Sequence, residues 1–167
     1  VDPAQVDFIY TPSNHGARSF QLGQVDAIVL PEPMVTITLN SYEDAVLSFD
    51  LQEEWAKLHD GDDRIPFVGL FVRGDFGRDH RELIETLNTH YQQGMEWVKA
   101  NPTEAALLAE QYFNQPAAVV EASFARIVLN LYPDHEEQAL IDRYFTAIME
   151  LYPEMIGGKL PDEQFYF

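Results

Sequence analysis

Four short apolar runs, Val6–Tyr10, Val25–Leu30, Ala45–Phe49 and Ile65–Val72, punctuate the first 72 residues of the chain. The first two end on turn formers, Thr11-Pro12-Ser13-Asn14 and Pro31-Glu32-Pro33. Helical patterns lie between the runs: Ala17–Leu22, stopped by Gly23; a stretch from Met34 to Leu39; and Leu51–Leu58, where Trp55 joins apolar residues spaced by three and four. Near-continuous apolar strands alternating with helices predict a parallel or mixed sheet covered on both faces, an α/β architecture.

Beyond Val72 the pattern becomes wholly helical. Asp79-His80-Arg81-Glu82 has capping-box spacing and opens a helix with Leu83, Leu87, Tyr91, Met95 and Val98 on one face. Asn101-Pro102 repeats the signal, with Pro at the first helical position. Gln115-Pro116 opens a third helix carrying Val119, Val120, Phe124, Ile127, Val128 and Leu131, and Asp134-His135-Glu136-Glu137 a fourth running to Tyr152. Gly157-Gly158 closes the ordered pattern before an aromatic tail. These helical stripes are expected to carry the packing, and Trp97, Phe113 and Phe124 to present more apolar area than the chain alone covers.

Of the 167 residues, 46% are hydrophobic, enough for a core in one domain or slightly more. Ten Lys and Arg stand against 28 Asp and Glu, a formal charge of −18. Such a mean field repels phosphates, so nucleic acid and anionic lipid are not expected partners. No run approaches the ~20 apolar residues of a membrane helix. The absence of cysteine excludes disulfides, thiolate metal sites and Cys nucleophiles. Val1-Asp2-Pro3-Ala4 has neither a basic region nor an apolar core, so no leader is read there, and the chain reads as processed or truncated.

Motifs for chemistry are missing. The histidines at 15, 59, 80, 90 and 135 form no HxxxH or HExxH, and no GxSxG, Walker A or GxGxxG sequence occurs. Neither catalytic residues nor a metal or other cofactor are expected. The pairs Glu53-Glu54, Asp62-Asp63 and Glu136-Glu137 read as solvated surface, and Asp62→Ala is expected to leave ligand affinity almost unchanged. Two segments do have the composition of a binding site. Thr11, Ser13, Asn14 and His15 precede a helix whose first N–H groups can hold an anion or a carbonyl. Glu32, fixed between Pro31 and Pro33 and followed by Met34, lies at the same end of the next predicted strand, where open sheets hold ligands. A carboxylate there argues against a bare anion unless a basic residue such as Arg73 intervenes, and favours a ligand with N–H donors.

Gly23-Gln24-Val25-Asp26-Ala27, followed by Glu32-Pro33, resembles the "G-x-V-D-A…E-P" segment of ABC-transporter solute-binding proteins of the nitrate, sulfonate, taurine and thiamine-precursor type. Asp50-Leu51-Gln52-Glu53-Glu54-Trp55 is similar to the "D-L-x-x-E-W" of one subgroup. Phe67–Phe76 resembles the strand that returns to the first lobe, and Ile156–Phe167 that subgroup's C-terminus. Val1–Val6 resembles the "G-x-D-P-x-x-V" found midway through such proteins.

This resemblance implies a type II periplasmic-binding-protein fold, present as a C-terminal half. Residues 1–64 would be a partial second lobe, and residues 65–167 the return strand and helices that pack on the first lobe. It further implies a small polar ligand bound by hinge closure, without catalysis, and an ABC permease as partner. The missing N-terminal lobe, or a second copy of the chain, would cover the helices. The expected location is periplasmic or extracellular, with anchoring through an N-terminal segment as one form. The alternatives are an enzyme resembling thiamine-pyrimidine synthases and a ligand-binding sensory module.

Overall fold

The computed structural model describes residues 5–130, 134–163, 165 and 166, without the side chains of residues 134–136. The motif residues Val1–Ala4, Gln164 and Phe167, the stripe residue Leu131 and the capping side chains of Asp134, His135 and Glu136 lie outside that description. About 60% of the chain is helical. Among the described residues there is no strand, so the fold is all-α and the expected α/β, periplasmic-binding-protein-like sheet is not formed.

The helices are α1 (Ser13–Gln21), α2 (Met34–Ser41), α3 (Leu51–Leu58), α4 (Gly74–Asp79), α5 (Arg81–Ala100), α6 (Pro102–Phe113), α7 (Ala117–Ser123) and α8 (Asp134–Leu151). Short 3₁₀ turns follow α7 at Phe124–Arg126 and α8 at Pro153–Ile156. Local signals account for several boundaries. The Asp50 carboxylate accepts from Gln52 N at 2.7 Å and starts α3 at Leu51. Pro102 occupies the first turn of α6, and Asn114 ends that helix in the left-handed region at φ 54°. Gly157 does the same after the last 3₁₀ turn, at φ 72°. The third predicted helix is shorter than its apolar run: helical geometry stops at Arg126, and Ile127 is extended. Helix α4 has no counterpart in the sequence reading.

All four predicted strands fail for one reason. A strand exists only through a partner ladder, whereas β propensity reports residues that suit a half-buried pleated surface. Here the runs lie outside any ladder and largely in solvent: Tyr10 is 88% exposed, Val46 78% and Val68 81%. Helical hydrogen bonds close within four residues, so the helices need no such partner.

The chain divides into two compact units, each built from two separate stretches: residues 1–47 with 98–128, and residues 48–97 with 129–167. In the first unit α7 packs on α6 and α2, and α1 on α2. Its buried residues are small: Ala17, Thr36, Thr38, Ala105, Ala106 and Ser123. Small side chains let helix axes approach closely, but each buries little apolar area. Phe20 and Tyr42 meet edge to face at 5.6 Å. In the second unit Ile84, Leu140 and Gly77 are buried, and Phe165 of the tail lies 6.0 Å from Phe145 and 6.5 Å from Phe71.

The predicted stripe of α5 does not carry a core within the chain: Leu83, Leu87 and Tyr91 are exposed, and of that helix only Ile84 is buried. Trp97 and Phe113 are also exposed, while Phe124 is half-buried.

Asp50→Ala should lower stability by about 1 kcal/mol, the usual worth of an N-cap acceptor. Urea unfolding measures this, and an unchanged midpoint would show that the cap holds nothing.

Candidate functional site

Both candidate segments belong to the first unit, and one close approach joins them. A Cβ built on Gly16 would stand 2.8 Å from Ile28 Cδ1 and 3.2 Å from Thr11 Cγ2. The missing side chain thus seats the run before Pro31 against the first turn of α1. There Pro12 O accepts from His15 N at 2.9 Å and Gly16 N at 3.0 Å. Thr11, Ser13, Asn14 and His15 are all exposed. Neither a side-chain cap nor an acidic residue occupies this helix start, so its positive end is unopposed.

Glu32 is differently placed from the expectation. Its side chain is only 7% exposed. One oxygen accepts from Thr36 N at 3.1 Å, capping the first turn of α2, and the other accepts from Arg126 Nε. The same guanidinium donates to Thr36 Oγ1. Both carboxylate oxygens are therefore engaged within the protein, and the reason for preferring a donor-rich ligand falls away. The balancing base is Arg126, not Arg73, which is 80% exposed and pairs with Asp75 at 3.2 Å. Met34, the first residue of α2, is half-buried.

The charged loop before Ile65 is not plain solvated surface. Asp62 accepts from Arg64 Nε at 2.8 Å and Nη2 at 2.7 Å, and from Arg143 Nη1 of α8 at 2.9 Å. Arg143 Nη2 also reaches the Arg64 carbonyl at 3.3 Å. Hydrogen bonds from Arg64, and further ones from Arg143, hold the Asp62 carboxyl well below the usual carboxylate range despite the opposing effect of burial. Beside this bridge the Trp55 indole stacks on His59 at 3.7 Å, with Tyr144 at 5.9 Å.

Sequence reasoning missed Arg126 and Arg143. Each lies far from its carboxylate, by 94 and 81 residues. One signal was present: Arg126 is the only Lys or Arg between Lys99 and Arg143, and it interrupts an apolar run. A lone cation in such a run needs a partner when buried. Among the described residues no three His, Asp or Glu side chains gather as a metal site would. No described helix is long and apolar enough to cross a membrane.

Arg126→Met should destabilise the chain by about 3 kcal/mol, because it leaves the Glu32 carboxylate buried and unpaired. Adding Glu32→Gln should restore part of this by removing the charge while keeping an acceptor for Thr36 N. A loss under about 0.5 kcal/mol for Arg126→Met, within the usual range for surface changes, would mean the pair is solvated.

Asp62→Asn tests the second bridge through pH. A carboxyl held low in the folded state stabilises above its unfolded pKa of about 3.9 and loses that contribution as acid protonates it. The stability gap between wild type and Asp62→Asn should be constant from pH 7 to about pH 5, then narrow as pH falls further. Urea titrations at each pH measure it, and a pH-independent gap would contradict the bridge.

No protein-family model, curated protein or solved structure matches this chain.

Proposed function

We propose that this chain is part of the extracytoplasmic solute-binding component of an ABC importer and acts by binding a small polar molecule, not by catalysis. The observation that carries the binding part is the seating of Ile28 against Gly16, which sets the Thr11–His15 helix start beside the run leading to Glu32. The transport part rests on the motif resemblance alone, because the α/β fold that usually accompanies those motifs is not formed. Exposed apolar side chains such as Phe113 and Phe71 are consistent with a covering partner, either an N-terminal lobe or a second copy. An ABC permease and a periplasmic or extracellular location complete the reading.

With Glu32 neutralised by Arg126, an acceptor-rich solute such as a sulfonate or nitrate suits the uncapped helix start. A thiamine-precursor pyrimidine or a similar small heterocycle is the remaining class. Ser13 and Asn14 would orient the ligand, Thr11, His15 and Met34 would border it, and Glu32 would hold the frame.

Thermal-shift assays with taurine, nitrate and a hydroxymethylpyrimidine should yield one ligand that raises the melting temperature. In calorimetry with that ligand, Asn14→Ala should weaken binding about ten- to a hundred-fold, as loss of a buried hydrogen bond does. No response to any of the three, or equal affinity in Asn14→Ala, would place the function elsewhere.

A further inference from the structure

Helix α5 runs for 20 residues, yet only Ile84 of them is buried. Helices are marginal in water by themselves, and most helical stability in proteins comes from packing an apolar face. Such a face is present. Leu83, Leu87 and Tyr91, spaced four apart, follow one line along α5, and all three stand in solvent. Between Leu83 and Trp97 the formally charged residues are Glu85 and Glu96. At ~100° per residue both lie on the side of the helix turned away from Leu87.

Gly94 lies on the same line, seven residues after Leu87 and ~20° from it round the helix. It is exposed, and a Cβ built on it would meet nothing within 4 Å outside its own helix backbone. The chain's own packing therefore does not need the missing side chain, although glycine in a helix interior costs stability relative to alanine. On an apolar face a missing Cβ leaves a notch, into which a side chain of a facing helix can reach.

We propose that α5 is a self-association surface whose occupant is α5 of a second copy, antiparallel and related by a two-fold axis between His90 and Tyr91. About that axis Leu87 of each copy faces Gly94 of the other. The contact thus uses the same knob and the same notch twice, as an isologous interface requires. Charge supports the same occupant. Antiparallel packing sets the positive end of each helix beside the negative end of the other. It also leaves Glu85 and Glu96 of both copies on the outer side of the pair. Two chains of charge −18 can therefore meet along α5 without carboxylates in the contact, and salt screens the remaining repulsion beyond about 8–10 Å. Three apolar side chains per copy fall short of the ~800 Å² that a standard interface buries on each partner, so the dimer is weak, with half-association in the micromolar range. This surface does not depend on the solute-binding reading.

Sedimentation velocity of the full chain measures the association, at physiological salt, without added solute, from low micromolar to near-millimolar concentration. Wild type should pass from monomer to dimer and stop there. Gly94→Leu fills the notch, and because a Cβ there meets open space the variant should fold with unchanged or higher helicity by circular dichroism. It should nevertheless weaken dimerisation about tenfold or more. Leu87→Ala, which removes the knob, should weaken it by about the same factor. The two together exchange knob and notch, and should return the affinity to within about threefold of wild type. A wild-type chain that stays monomeric, or that grows past the dimer, would overturn the proposal and leave this face to another occupant. So would Gly94→Leu associating as strongly as wild type, the mark of unspecific apolar contact, or a double variant no tighter than either single one.

Discussion

Each unit of this protein is closed by one arginine from its later stretch of chain bound to one carboxylate from its earlier stretch. Arg126 reaches back to Glu32, and Arg143 reaches back to Asp62. Both units are discontinuous in sequence, residues 1–47 with 98–128 and 48–97 with 129–167, so neither can be assembled by local hydrogen bonding. Helices form from their own residues, but something must bring the distant stretches into register. The buried apolar set is small, dominated by Ala17, Ala105 and Ala106 in the first unit and by Ile84 and Leu140 in the second. Contacts of that size do not specify one arrangement among many. A carboxylate that loses much of its solvent and has both oxygens engaged does, since any other pairing leaves it uncompensated. The bridges thus contribute specificity more than net stability.

The helical half of this architecture was legible because its signals are local. Asp50 starts α3, Pro102 starts α6 and Gly157 ends the last turn, each through chemistry contained within a few residues. The sheet was misread because runs such as Ile65–Val72 show only that a segment would suit a pleated, half-buried setting. They do not say whether a neighbouring strand is there to complete it. The segments around Thr11–His15 and Glu32 were singled out by composition, and the Ile28–Gly16 approach that joins them depends on an absent Cβ. Arg126 and Arg143 stayed hidden for the same reason as the missing sheet: their meaning lies in partners more than 80 residues away. Asp62 went with them, because a carboxylate in an acidic loop looks solvated until its arginines are known.

The outer surface combines two properties that usually oppose each other. Residues such as Tyr10, Val46, Val68 and Phe71 stand in solvent, and apolar exposure on this scale favours association. A charge of −18 on 167 residues resists it, since copies of the chain repel one another. Repulsion of that kind is screened by salt, whereas burial of apolar area is not. Association through these runs is therefore disfavoured between like-charged copies and less so with a partner of lower or opposite charge.

The scarce cations of this acidic chain are used selectively. The chain has only ten Lys and Arg, and three of its arginines, at 64, 126 and 143, are committed to internal carboxylates. Each bridge takes a carboxylate together with its arginine, Glu32 with Arg126 and Asp62 with Arg143. Arginine suits this internal role because its planar fork can bond two groups at once, as Arg126 does with Glu32 and Thr36 and Arg143 with Asp62 and the Arg64 carbonyl. A lysine at either position would present its three donors from a single nitrogen, without the fixed fork that reaches two separated acceptors. Two of the chain's seven arginines, Arg126 and Arg143, thereby join distant stretches at one point, whereas Arg73 and Arg81 pair with carboxylates close in sequence.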